Sequence, residues 1–197
     1  MIAIMGPSGC GKTTLLNILS GIDEPTSGQV MVDEKSLFSV SDNERSRIRA
    51  QYLGFIFQDF NLLPVLSAVE NVELPLLLLG KSATEARTTS LEALKSVGLG
   101  ERSEHRPSEL SGGQQQRVAI ARAIVHSPTV ILCDEPTGNL DSATSKSVMK
   151  LLKTINEKIG TTFLLVTHDG EVAKQCSRVL RMEDGIIVSD ERGQEEE

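Results

Sequence analysis

Short apolar runs recur along the chain, separated by amphipathic stretches of helical period. Ile2-Ala3-Ile4 reads as a strand, and Leu15, Leu16, Ile18 and Leu19 give the helix that follows a buried face. Gly21 and the stretch 23–28 make a turn, and Gln29–Val32 reads as a second strand. Ser41-x-x-Glu44, Ser67-x-x-Glu70 and Ser82-x-x-Glu85 are capping boxes. They start helices over Asp42–Gln51, after Ser67, and over Ala83–Val97, with Pro75 expected to kink or end the middle one. Most of the stretch 64–110 is thus predicted helical, as a small insertion. From Gln114 to His126 the chain is helical again, with Val118, Ala121 and Val125 on one stripe. Val130–Cys133, bounded by Pro128 and Pro136, reads as a strand buried on both faces, and Thr162–Thr167 as a further buried strand. Ala143–Ile159 is a helix stopped by Gly160. Asp184-Gly185 turns a hairpin between Val179–Met182 and Ile186–Ser189. Strands alternating with helices predict an α/β fold with a mostly parallel sheet, one domain over residues 1–197.

Composition narrows the class without selecting a chemistry. The 197 residues are 39% hydrophobic, enough for one domain with a substantial core. A net charge of −7 argues against nucleic acid as a partner, because phosphate backbones favour basic surfaces. The three cysteines, Cys10, Cys133 and Cys176, are scattered and fit a reducing compartment better than a disulfide frame. No secretory leader is visible, and Leu76–Leu79 is far shorter than the roughly 20 apolar residues that cross a bilayer. The Glu-rich stretch 193–197 reads as a frayed tail.

Candidate chemistry begins at Gly6-Pro7-Ser8-Gly9-Cys10-Gly11-Lys12-Thr13, a complete G-x-x-x-x-G-K-[ST] phosphate loop between a strand and a helix. Its glycines let peptide N–H groups approach phosphate closely, and the helix opening near Lys12 aims its dipole at the same charge. Lys12 would bridge the β- and γ-phosphates, Thr13 would ligate Mg²⁺, and Thr14 adds a donor. Cys10 is read as a small residue tolerated in the loop. Asp134 and Glu135 end an apolar strand, where open α/β sheets bind ligands. Asp134 fits a Mg²⁺ carboxylate acting through water, and Glu135 a general base or polariser of the attacking water.

A second glycine-rich element, Leu110-Ser111-Gly112-Gly113-Gln114, has no obvious task in a lone nucleotide site. Ser111 is a good N-cap, and Gly112-Gly113 leave peptide N–H groups unshielded at a helix start, an anion-binding surface without a phosphate of its own. Taken in order, the phosphate loop, Gln58 in Phe55-Ile56-Phe57-Gln58, Ser111–Gln114, the Asp134-Glu135 strand, Asn139-Leu140-Asp141-Ser142 and His168 resemble the nucleotide-binding subunit of ATP-binding-cassette (ABC) transporters. The segments 54–64 and 70–75 are more specifically similar to the macrolide-exporter and lipoprotein-releasing branch.

The resemblance implies an ATPase in which two copies sandwich two Mg-ATP. Ser111, Gly112, Gly113 and Gln114 of one copy would meet the γ-phosphate held by Gly6, Ser8, Gly9, Cys10, Gly11, Lys12, Thr13 and Thr14 of the other. It further implies that Gln58 touches Mg²⁺ and the attacking water, that His168 contacts the γ-phosphate, and that Asp141 crosses the dimer seam. Glu135, His168 and Gln58 are the expected catalytic residues, and Thr13, Gln58 and Asp134 the metal-linked ones. Separate transmembrane permease subunits, a second copy of the chain, and a place on the inner face of the cell membrane follow from the same resemblance. Phe60, Leu62 and Leu63 are either a partner-facing apolar patch or packing for the helical insertion. His105 and His126 are assigned no chemistry. A chromosome-maintenance ATPase would need a coiled-coil, zinc or DNA-reading insertion before Ser111, and a translation factor would carry two cassettes; neither pattern is present. An ATP-binding or regulatory fragment with little turnover stays open as the alternative.

Against that family the front of the chain is short. The phosphate loop begins at Gly6, no aromatic precedes it, and the earliest, Phe38, lies in the wrong part of the pattern. The resemblance implies an upstream aromatic stacked on adenine and two further strands in a small antiparallel sheet. The expectation is therefore an antiparallel portion truncated at its N-terminal side, weak base selectivity, and an exposed edge at Gln29–Val32.

Overall fold

The first apolar run enters the interior as β1 (Ile2–Met5), and its neighbours come from distant parts of the chain. In the computed structural model, which describes residues 1–192, β1 lies between β6 (Thr162–Thr167) and β7 (Arg178–Glu183). Beyond β6 come β5 (Val130–Asp134) and β4 (Leu53–Ile56), and beyond β7 comes β8 (Ile186–Arg192). All these pairings are parallel except the β7–β8 hairpin. The expected tail at 193–197 lies outside the described residues.

Alternate strand residues face opposite sides, and both sides are covered. Ala3, Ile131, Cys133, Phe163 and Leu165 pack with α3 (Ala68–Leu78), α4 (Ala83–Ser96), α5 (Gly112–Ile124) and α6 (Ser142–Ile159). Ile4, Leu132 and Val166 pack the other way, on Leu16 of α1 (Lys12–Leu19) and Ile48 of α2 (Asp42–Tyr52). A short helix, α7 (Gly170–Ala173), follows β6. Cys10, Cys133 and Cys176 are all free and buried, and burial pushes the Cys176 thiol up to about 11.

Local signals and structure differ in instructive ways. The expected strand at Gln29–Val32 shrinks to β2 (Met31–Val32), paired with β3 (Lys35–Ser36) as a separate two-stranded sheet. Met31 on it is 50% exposed, but the larger apolar edge is on β8, where Ile186, Ile187 and Val188 all face solvent. At the Ser67 box both bonds form, with the Ser67 N–H donating to the Glu70 carboxylate at 2.7 Å. Ser41 and Ser82 cap in one direction only, accepting from the N–H of Glu44 and Glu85. Pro75 does not end α3, which runs on to Leu78. Pro75 lacks an N–H for the preceding turn, but the last turn is held from beyond it, by the Leu79 N–H on the Pro75 carbonyl and by buried Leu76. Gly160 stops α6 in the left-handed conformation, as its position implies.

β4 itself is short and reads poorly from sequence, because Gly54 sits in its middle. The glycine is required by proximity: a Cβ there would lie 2.4 Å from the backbone carbonyl oxygen of Ala123 in α5. Backbone cannot yield as a flexible side chain can. Gly54→Ala is therefore expected to cost about 1–3 kcal/mol, typical of overpacking, read as a lower urea midpoint. An unchanged midpoint would show that β4 and α5 can part at this point without loss.

Candidate nucleotide-binding and hydrolysis site

Four parallel strands, β4, β5, β6 and β1, deliver their carboxyl ends to one edge of the sheet. The register opposes Met5 to Thr167, Asp134 to Val166, and Ile56 to Cys133. The segments that follow these residues carry the phosphate loop, the Asp134-Glu135 pair, His168 and Gln58. Residues far apart in sequence thereby share one rim.

After β1 the loop wraps around Lys12, which is buried. Its ammonium donates to the carbonyls of Gly6 and Pro7, both at 2.8 Å, and lies 3.9 Å from Cys10 Sγ. No carboxylate pairs with it among the described residues, so its positive charge stays at the centre of the loop. Gly11 adopts φ 98° at the N-cap of α1, a conformation that disfavours side chains. Ser8, Thr13 and Thr14 are exposed around this centre. The Thr13 hydroxyl reaches Asp134 at 3.3 Å, joining the loop to the end of β5. Burial raises the Asp134 pKa; the Thr13 hydrogen bond opposes the shift, neighbouring Glu135 adds to it, and Lys12 opposes it.

Glu135 follows with φ 46°, left-handed for a residue that bears a side chain. Such a position costs about 1–2 kcal/mol and is held by the Glu135 N–H on the Val166 carbonyl at 2.9 Å. The turn carries the carboxylate to β6. There it accepts from the Thr167 hydroxyl at 3.2 Å and the His168 N–H at 3.1 Å, and it lies 2.6 Å from His168 Nδ1. Thr167 in turn accepts from the Asp169 N–H. The Glu135 side chain is 16% exposed and that of His168 68%, so the acid is sheltered and the imidazole reaches outward.

Gln58 extends from β4 toward the same rim. Its amide donates to Asn139 Oδ1 at 3.1 Å, and Asn139 donates back to the Gln58 carbonyl and to Asp59. Asp141 is the N-cap of α6, accepting from the N–H groups of Ala143 and Thr144 and from the Thr144 hydroxyl. The Thr144 hydroxyl and these amides hold its carboxyl below the usual carboxylate range.

Ser111–Gln114 stand apart from this rim, at the start of α5. Ser111 and Gln114 form a reciprocal capping box, with the Ser111 N–H donating to Gln114 Oε1 at 2.9 Å. That leaves the N–H groups of Gly112 and Gly113 without an intrahelical acceptor. A Cβ on Gly113 would sit 2.5 Å from Thr144 Cγ2, so the two helix starts are packed tightly. Among the described residues no hydrogen bond links Ser111–Gln114 to the phosphate loop.

Several residues that serve this site carry no sequence signal. Gln116, fully buried on α5, donates to the Pro136 carbonyl just after Glu135. Thr167 donates its hydroxyl to Glu135, a partner distant in sequence. Arg122, near the end of α5, donates to the carbonyls of Phe60 and Asn61. The apolar trio after Gln58 divides: Leu62 packs against the core while Leu63 is 46% exposed. Beside it lies a groove of about 780 Å³, lined by Phe55, Phe57, Leu74, Leu78 and Arg122 among others. Leu78 is 79% exposed there. His126 lies in this groove with its Nε2 near the Leu53 carbonyl, and burial lowers its pKa. No helix among the described residues is long and apolar enough to cross a membrane.

A family model described as "ABC transporter" matches residues 1–138. The uncharacterized ABC transporter ATP-binding protein MJ1508 of Methanocaldococcus jannaschii is 51% identical over 187 residues, 95% of this chain and 83% of that protein. The lipoprotein-releasing system ATP-binding protein LolD of Alcanivorax borkumensis is 48% identical over 187 residues, 95% of this chain and 82% of its own. Among solved structures, a dimeric post-hydrolysis state of the ATP-binding cassette MJ0796 bound to ADP and Pi matches with TM-score 0.87 and 46% identity, over 98% of this chain and 84% of that one. A dimeric structure of MJ0796, described as a bacterial ABC transporter cassette, matches with TM-score 0.88 and 47% identity over the same shares. A family model across well over half the chain, and relatives near half identical across almost all of it, show that this chain belongs to the ABC transporter family, as an ATP-binding cassette of the ATPase type.

Proposed function

We propose that two copies of this chain close around two Mg-ATP, hydrolyse them, and drive work by separate transmembrane subunits. The observation that carries this reading is the separation of two anion-binding surfaces on one chain. The Lys12 loop is joined through Thr13 to Asp134 on the rim, while the free N–H groups of Gly112 and Gly113 open a different helix, with no rim residue bonded to them. A second copy supplies what each lacks. The related cassette MJ0796 is dimeric in both structures described above.

The donor set suits Mg²⁺. The Thr13 hydroxyl and Asp134 carboxylate are hard oxygen donors 3.3 Å apart, and among the described residues no group of three or more His, Cys, Asp or Glu is placed to hold a metal ion by itself. A metal that keeps waters and takes phosphate oxygens fits such a sparse site. When bound, Mg²⁺ would offset the negative charge of the triphosphate. Thr13, Asp134 and Gln58 would hold it. Lys12 and the loop N–H groups bind and orient the triphosphate, and Gly112 and Gly113 of the partner spread the charge that develops on the γ-phosphoryl group. Glu135 orients the attacking water and takes up its proton, and His168, bonded to Glu135, reaches the γ-phosphate. Asp141, at the start of α6, faces the dimer seam.

The apolar groove beside Gln58 is the proposed seat of the permease subunit, which would hold the cassette at the inner face of the cell membrane. Exposed Leu78, which lines the groove, supports that reading. The likeness to LolD favours the branch that does mechanical work on membrane-embedded or periplasmic cargo.

Glu135→Gln is expected to keep ATP binding, lose most turnover and trap an ATP-bound dimer, visible by size exclusion with Mg-ATP. Undiminished hydrolysis by this variant would remove Glu135 from its assigned role. Composite sites also allow rescue between chains: Lys12→Ala and Ser111→Arg should each be inactive alone, while mixing them restores one intact site per heterodimer. Wild-type turnover by both variants, independent of concentration, would contradict the sandwich. Asp134 yields a third test. Its raised pKa means that the charged form is disfavoured by folding, so above that pKa its ionisation opposes stability. Asp134→Asn should therefore melt at higher temperature at neutral pH while losing Mg²⁺-dependent turnover. A lower melting temperature would show that the carboxylate is a structural requirement.

A further inference from the structure

Phe60 and Asn61 follow Gln58 closely and take φ of 62° and 47°, two successive left-handed residues that both carry side chains. Such a pair persists only where its surroundings over-determine it. Local bonds close the turn through N–H groups: that of Phe60 reaches the Phe57 carbonyl at 3.2 Å, and that of Asn61 bonds two residues back to the Asp59 carbonyl at 2.6 Å. The carbonyls of the same two residues are held from α5. Arg122 spends one terminal nitrogen on the Phe60 carbonyl at 2.8 Å and the other on that of Asn61. No carboxylate pairs with this half-buried guanidinium among the described residues, so its charge is directed at the two carbonyls. On the other side of the loop Asn139 grips Gln58 and Asp59. The segment is thus held at both ends, by Asn139 after β5 and by Arg122 on α5.

We infer that Arg122 is a positioning residue for hydrolysis: by fixing Phe60 and Asn61 in the left-handed region, it sets where Gln58 stands on the catalytic rim. The inference rests on the reading that Gln58 serves Mg²⁺ and the attacking water. Arg122 itself touches neither. Without the fork of donors, residues 60 and 61 fall back to commoner conformations, and the chain immediately after Gln58 turns with them. A lysine brings a single nitrogen on a flexible stem, without the planar fork whose two terminal nitrogens reach the two carbonyls separately.

The test is a double-mutant cycle on the full chain with Arg122→Met, Arg122→Lys and Gln58→Ala, reading kcat, KM, the Mg²⁺ dependence of turnover and the melting temperature. Arg122→Met should lower kcat by about ten- to a hundredfold, the scale of a misplaced catalytic group. KM for ATP should change little, and the Mg²⁺ needed for half-maximal rate should rise. Arg122→Lys, which keeps the charge and the fold, should fall between the two. In the Gln58→Ala background Arg122→Met should cost no more than about a further twofold, because the two act through one another. Hydrogen exchange at the amides of 58–61 should quicken in Arg122→Lys while that of β5 does not. Equal losses in both backgrounds, with Gln58→Ala itself slow, would overturn the role of Arg122 and leave that of Gln58 intact. Full turnover by Gln58→Ala would overturn both. Unchanged kcat and exchange in the arginine variants would also overturn the inference.

Discussion

Opposing Met5 to Thr167 and Asp134 to Val166 across parallel strands is the constraint on which the rest of this molecule depends. A shift of one residue in either pairing would turn alternate side chains to the wrong face and move Glu135 away from Thr167 and His168. The register is enforced by burial on both faces. Phe163, Ile131 and Leu165 are fully inaccessible on one side, and Ile4 and Val166 nearly so on the other. The energy that holds the rim is therefore the packing of the whole core, not the few hydrogen bonds at the rim. Those bonds aim side chains that the sheet has already brought together.

Helix α5 extends the constraint across the protein. Its first turn presents the free N–H groups of Gly112 and Gly113. Its middle sends Gln116 to the Pro136 carbonyl, and its last turns send Arg122 to the loop after Gln58. A rigid helix thus links the Gly112-Gly113 helix start, the turn after Glu135 and the loop of Gln58. Gly54 lets it lie directly on β4, and Arg117 ties it to the Val97 carbonyl and to Ser147 of α6. Small displacements at one end of such an element are delivered at the other, because close-packed interiors do not absorb them.

Stability is given up locally along the rim. Asp134 is a carboxylate partly desolvated at a strand end, and Glu135 adopts a backbone conformation unfavourable for its type. Phe60 and Asn61 do the same beside Gln58. Each is held by a bond from another element: Thr13 to Asp134, the Val166 carbonyl to the Glu135 N–H, and Arg122 to the two carbonyls. Strain placed along one rim persists because the surrounding core over-determines it.

The sequence by itself determined whatever depends on neighbours within a few residues. Ser67 with Glu70 announces a helix start because both bonds are closed within one turn. Gly160 announces an end because only local φ is at stake, and the phosphate loop is legible because its contacts are made by its own backbone. The continuous apolar run before Asp134 announces a strand covered on both faces, and hence a sheet of α/β type. Tertiary structure alone decided what those elements meet. That β1 falls between β6 and β7, that Glu135 lies against His168, and that Asn139 and Arg122 grip opposite ends of the Gln58 loop depend on partners tens of residues away. β4 escaped notice because the glycine demanded by its contact with α5 lowers its local strand character. Pro75 does not end its helix, which is sustained by burial and by a bond from beyond the proline. Local propensity is settled by the chain's own torsions, whereas register, strand order and side-chain pairing are settled by the burial of surfaces that meet only once the chain has folded.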